Sequence, residues 1–78
     1  MKVKVYGWQN FRNGKQTREV VAASSKAQVA RIVGETGPWK LFNLGETWNK
    51  LENETAMSKP GAVFYQDING RHPFVEVK

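Results

Sequence analysis

The chain has no cysteine, a single histidine and no apolar run longer than a few residues among its 78 positions. Without cysteine no disulfide can staple the fold. That argues against a small secreted scaffold and fits a reducing cytoplasm. One imidazole and no thiol fall short of the ligand sets that hold zinc. No stretch is long enough to cross a bilayer, and the chain opens on an alternating strand pattern instead of an apolar signal segment. The glycines form neither the dinucleotide fingerprint nor a phosphate loop. Catalytic groups are equally scarce. His72 stands beside Pro73 near a turn signal. Glu52 and Glu54 are two apart, so on a helix they diverge by about 200° and cannot pair as acid and base. These absences predict a protein that is not an enzyme and takes no cofactor and no small-molecule substrate.

Acidic residues are also few, and their scarcity is local. The chain has 12 basic and 7 acidic residues, a formal net charge of +5, and a pI near 9.8. Residues 1–40 hold eight basic and two acidic residues, a balance of +6, whereas residues 41–78 hold four and five, a balance of −1. A one-sided surplus of this kind points to a nucleic acid or an acidic protein face as partner. The plainer use of such charge is solubility.

What is present centres on Arg18–Gly34, which reads as a strand running into a helix. Val20 and Val21 are β-branched and favour extended backbone. Ser24 and Ser25 offer oxygens to the free N–H groups of a helix start, and Ser25 with Gln28 has capping-box spacing. Val29, Ala30, Ile32 and Val33 share one helical face, with Gln28 and Arg31 opposite. Gly34 suits the helix stop. The helix spans about two turns, too short to persist alone, so it must lie on strands.

Before this unit, Lys2–Tyr6 alternates polar and apolar as a half-buried strand does. Asn13-Gly14 is a strong hairpin-turn pair, so a hairpin over about residues 2–10 and 16–23 is expected. After it, Pro38–Gly45 reads as a single helical or 3₁₀ turn that plugs the core with Trp39, Phe42 and Leu44. Asn49–Ser58 reads as a second helix capped by Asn49, with Leu51, Thr55 and Met57 inward. Ala62–Ile68 and His72–Val77 read as a second hairpin about Asn69-Gly70. The order β-β-α-α-β-β predicts one α+β domain over residues 1–78: a small antiparallel sheet from two hairpins, with the short helices on one face.

The candidate contact surface is the acid-free stretch Trp8–Arg18. Arg12, Lys15 and Arg18 can engage phosphates or carboxylates, and Trp8 and Phe11 supply flat contact area. Arg31, on the outer face of the first helix, completes the expected set. The basic side chains are expected to stand free on the hairpin, so that reversing Arg12 and Lys15 would spare the core. The competing reading folds Trp8 and Phe11 inward. A third cluster, Trp39, Phe42 and Trp48, is read as core first and binding face second, because so small a domain has few large apolar residues to bury.

At Arg18–Gly34, and again at Lys59-Pro60-Gly61-Ala62-Val63-Phe64-Tyr65, the chain resembles small phage-encoded anti-CRISPR proteins that inhibit type I CRISPR surveillance complexes. The resemblance is one of layout: a hairpin, a short helix beginning in Ser-x-Ala, and closing strands. It implies a non-enzymatic inhibitor that acts in the host cytoplasm, binds a Cascade subunit and keeps target DNA from docking. Many such inhibitors are acidic DNA mimics; this chain is basic, which turns expectation toward acidic patches on the complex or toward nucleic acid itself. The hairpin-then-helix order is also similar to arm-type DNA-binding domains of phage integrases, in which a sheet enters the major groove. A small basic DNA-binding domain is therefore the alternative, and a phage structural or accessory protein a third.

Overall fold

Val5, Tyr6 and Trp8, and then Val20 through Ala23, are apolar at neighbouring positions, and neighbouring residues of a strand point to opposite faces. Strands of this composition need cover on both sides. The computed structural model, which describes residues 3–12, 14–68 and 73–77, shows how that cover is provided. The elements are β1 (Lys4–Arg12), β2 (Lys15–Ala23), α1 (Lys26–Val33), a 3₁₀ turn (Pro38–Lys40), β3 (Phe42–Glu46), α2 (Lys50–Met57), β4 (Phe64–Asp67) and β5 (Val75–Glu76). Among the described residues the strands form one antiparallel sheet in the order β3-β1-β2-β4-β5.

The β1–β2 hairpin is the spine, paired without a break from Lys4↔Ala23 to Arg12↔Lys15. Two residues close it. Gly14 has a φ of 76°, as a tight hairpin turn demands; Asn13 and the Asn69-Gly70 turn with His72 lie outside the described residues. Tyr6, Trp8, Val21 and Ala23 pack with Val29 of α1 and with Leu41 on one face. Val5, Val20 and Ala22 pack with Ala56 of α2 on the other. The helices therefore sit on opposite faces, not together on one as the sequence pattern suggested. The cause is the spine itself, which is apolar on both sides.

Both helices are capped. Ser25 Oγ accepts from the Gln28 N–H at 3.1 Å, while Gln28 Oε1 accepts from the Ser24 N–H at 2.6 Å. The reciprocal bond of the capping box thus lands one residue earlier than spacing predicts. At the other end Gly34, at φ 90°, donates to Ala30 and Arg31 carbonyls, and Glu35 donates to Ala30 at 2.8 Å, closing a Schellman motif. In α2, Asn49 Oδ1 accepts from Glu52 N–H at 3.0 Å. The inward face of α2 differs from expectation: Ala56 is buried, whereas Leu51 and Met57 are exposed. Small Ala56 lets the helix approach the sheet closely, and Glu52 is drawn inward by Arg18.

The segment expected to form a helical or 3₁₀ turn that plugs the core does form a 3₁₀ turn at Pro38–Lys40, but its second half supplies a fifth strand, β3, at the sheet edge. Leu41 of that region is buried, Leu44 is half-buried, and Trp39 and Phe42 are exposed. Asn43 and Gly45 are poor strand formers, so β3 exists through its pairing with β1. Its register shifts between Gly7↔Gly45 and Gln9↔Phe42, and Asn43 takes a φ of 58° in this bulge.

Candidate binding site

The six residues singled out on the sequence fall into three environments. Trp8 is fully buried in the α1-side core and offers no ring face to a partner. Arg12 and Arg18 are held by carboxylates of the fold. Phe11, Lys15 and Arg31 are exposed.

Arg12 reaches across the hairpin to Glu19, with Nε 2.5 Å from Oε2 and Nη2 3.1 Å from Oε1. Glu19 is entirely buried, and Thr17 Oγ1 also donates to it at 3.0 Å. The guanidinium lies 5.7 Å from the centroid of Tyr65, within cation–π range. The hydrogen bond to Glu19 raises the Arg12 pKa against the opposing effect of burial. Reversing Arg12 would therefore leave a buried carboxylate facing another one, and the expectation that it stands free at the tip is corrected.

Arg18 lies on the other face. Its Nε and Nη2 donate to the two Glu52 oxygens at 2.9 and 3.0 Å, and Thr47 Oγ1 donates to Glu52 Oε1 at 2.6 Å. Gly7 makes this possible, since a Cβ there would collide with the Arg18 guanidinium. Burial disfavours the Glu52 charge, but the hydrogen bonds from Arg18 and Thr47 and the positive charge of Arg18 outweigh it, so its pKa falls below the ordinary value. The hairpin is thus less basic toward a partner than its sequence suggests. Lys15, Arg31 and Lys40 keep no ion-pair partner among the described residues. Arg31 has a structural use as the basic residue in the last turn of α1.

Apolar groups are exposed instead. Phe11 is 71% exposed, Phe42 65%, Trp39 79% and Trp48 83%. Phe42 stands opposite Gln9, so alternation puts it on the same face as Phe11, one diagonal step away. Between them, where β3 ends, a cavity of about 140 Å³ opens, lined by Trp8, Phe11, Val33, Lys40, Leu41 and Phe42. Trp39 adjoins Lys40 in the 3₁₀ turn and folds its ring over Gly37. A larger groove of about 570 Å³ runs beside the end of α1 against Pro60 and Val63. Its cations, Arg12 and Lys59, are held by Glu19 and Glu76.

The sequence reading placed Phe42 and Trp39 in the core first. The exposure of Phe42 goes with its place in β3, an edge strand that no local pattern announced, and Trp39 is exposed in the 3₁₀ turn that precedes it. Among the described residues no group of three or more His, Asp or Glu could hold a metal ion, and no helix is long and apolar enough to cross a membrane. No family model, curated protein or solved structure matches this chain.

Proposed function

We propose that this chain is a non-enzymatic binding protein that docks on another protein through the edge formed by Phe11, Phe42, Trp39 and Lys40. The specific reading is an anti-CRISPR-type inhibitor that binds a type I Cascade surveillance complex and blocks target DNA. The observation that supports protein docking is the exposure of Phe11 and Phe42 at one cavity, with exposed Trp39 next in sequence to Lys40 of its lining, in a domain with few large side chains to spare. Desolvated aromatics beside a cation are the usual composition of an interface hot spot. The pairing of Arg12 and Arg18 within the fold makes phosphate tracking the weaker use of this surface.

The DNA-binding alternative is favoured by the unpaired Lys15, Arg31 and Lys40 and by the net charge of +5. One experiment separates the two. Purified guide-loaded type I Cascade is immobilised, the chain is added, and binding of target duplex is measured; a gel shift on free duplex runs beside it over a salt series. Capture by Cascade with exclusion of duplex, and little shift of free DNA, is expected. Failure to bind Cascade, with duplex retarded in a steeply salt-dependent way, transfers the function to nucleic acid.

A further inference from the structure

The helix α2 covers only part of its face of the sheet. It packs on Val5, Val20 and Ala22, at the end away from the hairpin turn. Toward the turn the same face carries two rows of side chains. One row is Phe42, Gln9, Arg18 and Gln66, which pair across β3, β1, β2 and β4. The next is Phe11 and Gln16, with Ile68 beyond them, whose N–H donates to the Gln16 carbonyl at 3.0 Å. Alternation along each strand puts all seven on this face. Phe11, Gln16, Phe42 and Ile68 are exposed.

This patch is neutral. Arg18 is its one charged residue among the described residues, and it donates to both oxygens of Glu52. The net charge of +5 is carried elsewhere on the chain. A polyanion finds no free cation here, and a charged protein surface finds no countercharge. The remaining polar groups are amides. Gln9 Oε1 accepts from Gln16 Nε2 at 3.4 Å and from Asn43 Nδ2 at 3.5 Å. An amide both donates and accepts, so a patch of amides is complementary to a copy of itself. Aromatic rings are too, since they pair offset or edge to face.

We propose that this open half of the α2 face is where a second copy of the chain docks, sheet against sheet. Packed sheets lie about 10 Å apart, close to the diameter of a helix, so the second sheet fills the layer that α2 begins. The twofold axis crosses the strands, because an axis along them would drive the two α2 helices into each other. Phe11 and Phe42 of one copy then meet those of the other around the amides. Four strands span roughly 20 Å. With the side chains on them they offer on the order of 500 Å² per copy, so the pair buries about 1,000 Å², the low end for a specific interface. Such a dimer is weak and reversible. The inference goes beyond the docking proposed above and does not rest on it; because both use Phe11 and Phe42, a paired chain must separate before it docks.

Sedimentation equilibrium of the full chain should show the 8.9 kDa monomer giving way to a dimer. The dissociation constant should be on the order of 100 μM, as suits an interface of this size. Raising salt should strengthen the dimer or leave it unchanged, since salt screens the repulsion between two chains of charge +5. On dilution of ¹⁵N-labelled protein, the Phe11 and Phe42 amides and the Gln9 and Gln16 side-chain amides should shift. Val75, which pairs with Tyr65 on the other face, should stay fixed. Phe11→Ala/Phe42→Ala should weaken self-association about tenfold or more, whereas Val75→Ala should not change it. A chain that stays monomeric up to its highest soluble concentration, a dimer lost as salt rises, full self-association of the double variant, or dilution shifts centred on Val75 would overturn the proposal. No target is present in these measurements. Failure of the Cascade reading therefore leaves the dimer standing, and a chain that binds Cascade but never pairs sinks the dimer alone.

Discussion

The hairpin and the edge beside it carry the two obvious classes of binding residue, and the fold treats them in opposite ways. Arg12 and Arg18 lie on the same hairpin but on opposite faces of the sheet. Each is gripped through two nitrogens by a carboxylate, Glu19 or Glu52. Phe11 and Phe42, next to them on the same sheet, pack against nothing that covers them. Charges that look free in a sequence are used inside the fold, and aromatics that look like core are left outside. Charge density along a chain is therefore a poor map of a surface until the partners of each charge are known.

The sharpest way to break this comparison is Arg12→Ala. It removes the partner of a carboxylate that has no exposure, which typically costs about 3–5 kcal/mol. For a domain of this size the melting temperature should fall by at least about 12 °C. Adding Glu19→Leu should recover much of that loss, since the unpaired charge is then gone. Scanning calorimetry of both variants tests this. A small loss for Arg12→Ala would mean that the tip arginine is free after all.

The second pair is partly exposed, so its contribution is discounted for solvent screening. The pKa of Glu52 is lowered in the folded state. Its contribution is therefore present above the unfolded carboxylate value and is lost as pH falls through the lower folded value. Thermal melts from neutral to strongly acidic pH should show this loss, and Glu52→Gln should flatten part of the slope. An unchanged slope would show that Arg18 does not hold Glu52. Ser25→Ala is expected to have a similar or smaller effect: about 1 kcal/mol, or roughly 4–8 °C. Melting of Ser25→Ala beside Ser24→Ala should show the larger drop at Ser25, whose oxygen receives the Gln28 N–H.

Much of the spine was legible. The Asn13-Gly14 turn signal, the Ser25 cap and the Gly34 stop are local chemistry, and each fixes an element boundary within a few residues. The second helix and the final strands were also legible in type and order. What local pattern could not carry was long-range. β3 has Asn43 and Gly45 in it and becomes a strand only because β1 is there to pair with. The placement of α2 on the opposite face from α1 was legible only in the uninterrupted apolar run Val20–Ala23, whose second face had to be covered. The Arg18–Glu52 pair joins residues far apart in sequence, and Gly7, which makes space for it, looks like an ordinary strand glycine until Arg18 is seen lying across it.

The smallest expected effect on stability belongs to the edge. Phe11→Ala and Phe42→Ala remove exposed side chains and should each change stability by no more than about 0.5 kcal/mol. Chemical denaturation checks this, and a large loss would mean that these rings are core.

The central claim is that exposed aromatics, and not hairpin charge, carry binding. Its most direct test is the affinity of two stable variants for purified type I Cascade, measured beside wild type at physiological salt. The Phe11→Ala/Phe42→Ala double variant should bind on the order of a hundredfold more weakly, as the loss of two hot-spot rings implies. Lys15→Glu should change affinity by less than about fivefold, mainly through the association rate. Wild-type affinity in the aromatic double variant, together with a large loss in Lys15→Glu, would contradict the account and return the binding face to the basic hairpin.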